Sequence, residues 1–101
     1  MQTHLSAPDR TSSLLAVALL LAAQDGWRDL TRDALARTAG VSPALVSERL
    51  GTMDALRRSL MRAAVKQRVI SIVAEGLLAR HPQALKADAA LRAECAAWMV
   101  R

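Results

Sequence analysis

The chain has 101 residues, a formal net charge of +5, 52% hydrophobic residues and 23% charged residues, the balance of one small globular domain and not of a disordered chain. Its aromatic residues are two Trp, with no Phe or Tyr, which argues against single-strand nucleic-acid binding on a row of stacked rings. One cysteine, Cys95, excludes an internal disulfide and any multi-cysteine metal site.

Residues 1–10 are polar, contain Pro8 and read as a flexible N-terminal arm. Residues 14–23 form a run of ten apolar residues, too short to span a bilayer as a helix. The segment before the run has Arg10 as its full positive charge, with Asp9 beside it, unlike the basic start of a secretory signal. A cytoplasmic protein without a membrane partner is therefore expected. Thr11, Ser12 and Ser13 offer caps for a first helix from about Ser12 to Asp25, and Gly26 supplies its stop. Trp27 and Leu30 are expected to pack the connection that follows.

Thr31 is a good cap for a second helix over 32–38, with Asp33 in its first turn, where the helix dipole favours an acid. Ala39-Gly40-Val41 reads as a tight turn. Ser42 caps a third helix, and Pro43 sits at its first position, where a missing N–H costs nothing. Gly51 stops that helix and Thr52 caps the next, with Asp54 in its first turn.

The fourth helix reads as a long one, from Met53 to about Ala79. Its first half carries Arg57, Arg58, Arg62, Lys66 and Arg68; its second half, Val69 to Ala79, is apolar almost all round. Such a surface must be buried on every side, and one helix-turn-helix unit of this size is too small to do so. His81-Pro82 breaks the helix. Asp88 reads as the cap of a short last helix, on which Leu91, Cys95, Trp98 and Met99 make one apolar stripe. The expected dimer interface is Val69, Ile72, Val73, Leu77, Leu91, Cys95, Trp98 and Met99.

The informative segment is Thr31 to Leu50. A short helix, a glycine turn and a second capped helix make a helix-turn-helix, whose second helix enters the major groove of DNA. Val46 and Leu50 lie four apart and anchor that helix to the core. Its outer face would then present Ser42, Pro43, Ala44, Leu45, Ser47, Glu48 and Arg49. Arg49 is suited to bidentate reading of guanine, or it pairs with a carboxylate such as Asp54. Glu48 accepts from a cytosine amino group or points into solvent. Leu45 touches a thymine methyl or belongs to the core. The arginines of the fourth helix are a solvated face or, for Arg57 and Arg58 near its start, phosphate ligands.

Residues 13–60 resemble the N-terminal DNA-binding domain of the TetR family of bacterial transcriptional regulators. The resemblance rests on the apolar first helix, the Asp25-Gly26-Trp27 corner, Thr31 and Ala36. It continues through Ala39-Gly40-Val41-Ser42, Gly51-Thr52 and Asp54-Ala55-Leu56. Where the family often has Tyr, Phe and Lys, this chain has Ser47, Leu50 and Met53. The resemblance implies an all-α fold: a three-helix DNA-binding domain over 11–58, then a long fourth helix and a short C-terminal dimerisation helix within 59–101. It also implies that the third helix reads bases, that the starts of the second and fourth helices, at Thr31, Arg32 and Thr52, contact phosphates, and that a homodimer binds a near-palindromic operator in double-stranded DNA. About forty residues follow the DNA-binding region, too few for an enclosed inducer pocket, so no small-molecule inducer is expected.

The sequence has no Gly-rich phosphate loop, no His-x-x-x-His pair and no arrangement of nucleophile, base and acid. No enzyme, cofactor or metal is expected. The reading is a sequence-specific transcriptional regulator, a repressor in mode. The alternative is a protein-interaction or lipid-binding module that keeps a TetR-like helical fold without binding DNA.

Overall fold

In the computed structural model, residues 7–100 are described, with side chains from Arg10 onward. They form six α-helices and no strand: α1 (Ala7–Asp25), α2 (Arg32–Ala39), α3 (Pro43–Leu50), α4 (Met53–Gln67), α5 (Ile70–Leu78) and α6 (Ala89–Met99), with a 3-10 turn at Ala84–Lys86 before α6. Helix α1 touches α2, α3, α4 and α5. It buries Leu14, Ala18 and Ala22, which recur every four residues along one face. Leu35, Val46, Leu50, Leu56 and Leu60 complete the core on the helix-turn-helix side. No described helix is long and apolar enough to cross a membrane.

The caps follow the chemistry expected of them. The side chains of Thr31, Ser42 and Thr52 each accept a hydrogen bond from the backbone N–H three residues on, at 3.1 Å. Asp88 accepts from the Leu91 N–H at 2.7 Å. Each bond satisfies a donor that the first turn of a helix leaves without a partner.

Helix α1 starts earlier than expected. Residues 7–10, assigned to a loose arm, are helical, and Pro8 falls in the first turn, where no intrahelical N–H is needed. Residues 1–6 of the expected arm lie outside the described residues.

The expected long fourth helix is broken. Helix α4 ends at Gln67, Arg68 takes the left-handed conformation (φ 56°, ψ 48°), and α5 begins two residues later. The Arg68 N–H donates to the Val65 carbonyl at 3.2 Å, and the Val69 N–H to Ala64 at 2.9 Å. This pair of bonds is a Schellman ending. Gly40 makes the same pair after α2, and Arg80 makes it after α5. Glycine takes a positive φ at no steric cost, whereas a residue with a Cβ loses about 1–2 kcal/mol there. At Arg68 the side chain offsets part of this loss by pairing with Asp88 at 3.1 Å and Glu94 at 3.0 Å, both near or on α6.

The break changes what buries the apolar segment. Because α5 folds back, α4, α6 and the 3-10 turn pack around it. Four residues expected at a dimer interface, Ile72, Val73, Leu91 and Cys95, are therefore at most 1% exposed within a single chain. They are core residues and cannot form an interface without unfolding the chain. Val69, Leu77 and Met99 are half-buried against that core. Trp98, 37% exposed, and Leu78, 73% exposed, remain outside.

Gly76 stands where α5 meets α4 and the 3-10 turn. A Cβ at this position would lie 2.5 Å from Met61 Cε and 2.8 Å from Ala84 Cβ. Alanine is the better helix former by about 1 kcal/mol, but overpacking here costs about 1–3 kcal/mol. Gly76→Ala is expected to lower stability in a urea melt by up to about 2 kcal/mol net. Combining it with Met61→Ala should cost less than the sum of the two single changes.

Candidate nucleic-acid interface

The helix-turn-helix is built from two helices of eight residues each, α2 and α3. Gly40 turns the chain between them at φ 73°, with no atom within 4 Å of where a Cβ would stand. Conformation, not crowding, is thus the reason for glycine there. Val46 and Leu50 are buried, as their spacing predicted, and this fixes the rotation of α3. Ser42, Pro43, Ala44 and Glu48 are exposed on its outer side, with Leu45, Ser47 and Arg49 half-buried along the flanks.

Arg49 makes no ion pair with Asp54. Its Nε is buried and has no hydrogen-bond partner in the chain, and the same is true of Arg32 Nε. A buried donor without a partner costs about 1–3 kcal/mol. Thr31 and Thr52 are exposed cap residues. Arg32 and Arg57 line one hollow of about 240 Å³ between the starts of α2 and α4, together with Leu30, Thr31, Met53 and the acidic Asp33. Two of the expected phosphate ligands, from separate helices, are thereby brought together.

Arg58 is exposed and borders a different cleft, shared with Trp27, Asp54, His81 and Pro82. This second basic region was not legible in the sequence. Arg28, Arg57 and Arg80 meet around one cavity of about 480 Å³ beside Trp27 and His81, although no spacing links positions 28, 57 and 80. Arg80-His81-Pro82 reads in sequence only as a helix break. This hollow lies at the joint between the C-terminal helices and the helix-turn-helix and is open to solvent, not enclosed.

Trp27 forms this joint. The indole is buried, its Nε1–H donates to the Arg57 carbonyl at 3.2 Å, and its backbone N–H donates to Glu75 Oε1 at 2.7 Å. The Arg28 N–H donates to the other oxygen of Glu75 at 3.2 Å. The His81 ring meets the Trp27 ring edge-on, with centroids 5.2 Å apart. His81 Nδ1 accepts from the Gln83 N–H at 3.1 Å, so the neutral imidazole carries its proton on Nε2. Burial, and then the charge of Arg58, hold the His81 pKa below its ordinary value.

Among the described residues no group of three or more His, Cys, Asp or Glu side chains is placed to hold a metal ion. Cys95 is buried, its thiol facing the Ile70 carbonyl, and burial raises its pKa. No family model, curated protein or solved structure matches the chain.

The lowered His81 pKa has a sign. The unfolded chain binds the proton more readily than the folded one, so stability falls as pH drops through about 6.5 toward the folded value. The melting temperature is expected to decline between pH 7.5 and 5.5. His81→Asn, which keeps an acceptor for Gln83, should flatten that decline; an unchanged slope in this variant would remove His81 as its cause.

Proposed function

We propose that the protein is a sequence-specific DNA-binding transcriptional repressor of the TetR type, acting as a homodimer on a near-palindromic operator. The observation that carries the reading is the orientation of α3. Val46 and Leu50 are buried beneath it, while Ser42, Pro43, Ala44 and Glu48 face outward and Arg49 lies on the flank with an unmet donor. A short helix held this way behind a turn is the part of a helix-turn-helix that enters the major groove. The hollow shared by Arg32 and Arg57 supplies guanidinium groups for the backbone phosphates on either side. A net charge of +5 favours a polyanionic partner.

The proposal is tested by selecting binding sites from a random duplex pool and by gel shift with the DNA upstream of the protein's own gene. If Arg49 reads a guanine, Arg49→Ala should cost about 1–3 kcal/mol and relax preference at one symmetric pair of positions. Affinity should fall with log salt at a slope of about −0.9 for each phosphate neutralised, and Arg32→Ala or Arg57→Ala should flatten that slope uniformly across sequences. Binding indifferent to salt, and to Arg49→Ala and Ser47→Ala together, would defeat the reading in favour of a lipid- or protein-binding module.

The homodimer in this proposal uses surface that the single chain leaves uncovered. Leu78 at the end of α5 and Trp98 on α6 line a groove with Ala22 and Ala23 of α1, an apolar face suited to a second copy. Leu78→Asp should shift the sedimentation equilibrium toward monomer while leaving the melting curve in place. Val73→Asp, in the core of one chain, should instead unfold it.

A further inference from the structure

We propose that the cleft between the Trp27 corner and the His81-Pro82 turn is a binding site for a small phosphate-bearing anion. It is lined by Arg28, Arg57 and Arg80 with Trp27, His81 and Pro82, and an adjoining hollow adds Arg58 and Asp54. Four arginines from three separate segments therefore border the cleft and its adjoining hollow, with the carboxylates of Asp54 and Glu75 close by. None of the four is in an ion pair; among the described residues both ion pairs belong to Arg68.

Arg80 sharpens the point. It stands at φ 57°, a conformation that favours glycine. Arg68, the other arginine held this way, has two carboxylate partners for its side chain; Arg80 has none. What an arginine brings to position 80 is thus a cationic side chain in a residue that lines the cleft. His81 adds a neutral donor, because its Nδ1 is occupied by the Gln83 N–H and its proton is on Nε2. Planar guanidinium forks match the paired oxygens of a phosphate. The cleft, of about 480 Å³, is open to solvent, so the organic part of a phosphate monoester can extend out of it.

The two walls belong to different halves of the fold. Arg28, Arg57 and Arg58 lie on the helix-turn-helix side; Arg80 and His81 follow α5. A bound anion ties the halves together and stabilises the joint by mass action. This inference does not depend on α3 reading DNA.

The test uses the full chain at constant ionic strength. Inorganic phosphate and adenosine monophosphate are titrated separately while the His81 ring proton is followed by NMR and melting by circular dichroism. Saturable shifts are expected, with a rise in melting temperature and in the His81 pKa. The groups facing His81 are Arg28, Arg57, Arg58 and Arg80, with Asp54 and the nearby Glu75, and an added anion favours the imidazolium. Arg80→Gly relieves the backbone while removing the guanidinium, so it should fold at least as well and bind about tenfold more weakly, the loss of one charge-assisted hydrogen bond. Phosphate affinity unchanged in Arg80→Gly, or a His81 titration that neither anion moves, would overturn the site. Response to duplex DNA alone, with Arg80→Gly flattening the salt slope of DNA binding, would make the cleft a contact for backbone phosphates and overturn it as a small-molecule site.

Discussion

Two backbone N–H groups left free where α1 ends, those of Trp27 and Arg28, find their acceptors on one carboxylate 48 and 47 residues away, Glu75 of α5. The Trp27 indole points the other way and donates to the Arg57 carbonyl of α4. One residue thus fixes the corner from which α2 departs and, with it, the position of the helix-turn-helix relative to the C-terminal helices. A part-buried amide without its acceptor costs about 1–3 kcal/mol, a large share of the few kcal/mol that keep a domain of this size folded. His81, edge-on to the same indole, makes the joint sensitive to charge: whatever alters the field around Arg58 and Arg80 acts on a ring in contact with Trp27.

The break at Arg68 decides how the rest of the chain is used. A continuous helix over 53–79 would be a rod about 40 Å long, with its apolar second half projecting into solvent and in need of another chain. The Schellman ending returns α5 to the side of α4, and α6 closes over it, held by the fork of Arg68 on Asp88 and Glu94. Arg92 adds bonds from its side chain to the carbonyls of Ala87 and Leu85 at the turn before α6. The core is completed within one chain, and on α5 and α6 the large apolar side chains left exposed are Leu78 and Trp98.

Much of this was legible in the sequence where local chemistry decides the outcome. The caps at Thr31, Ser42, Thr52 and Asp88, the turn at Gly40, the burial of Trp27 and Leu30 and the inward face of α3 all follow from residue type and spacing. The break at Arg68 was not legible, because a left-handed residue is announced by glycine or asparagine and this one is arginine, selected by partners 20 and 26 residues away. The start of α1 was misplaced because Pro8 suggests irregular chain unless it falls in a first turn. Of the candidate site, the outer face of α3 was readable from one helix alone. The meeting of Arg32 with Arg57, and of Arg28 with Arg80, depends on how helices cross, which no local pattern encodes.

The crossing at Gly76 has a consequence for how sequences with this fold can vary. Met61, Gly76 and Ala84 share one small volume, with no space for a methyl group at the middle position. A larger residue at 76 fits better beside a smaller one at 61 or 84, and a shorter side chain at 61 leaves space that a larger residue at 76 can use. Substitutions at the three sites are therefore coupled, and a change at one should favour a compensating change at another when one lineage of this fold diverges from another.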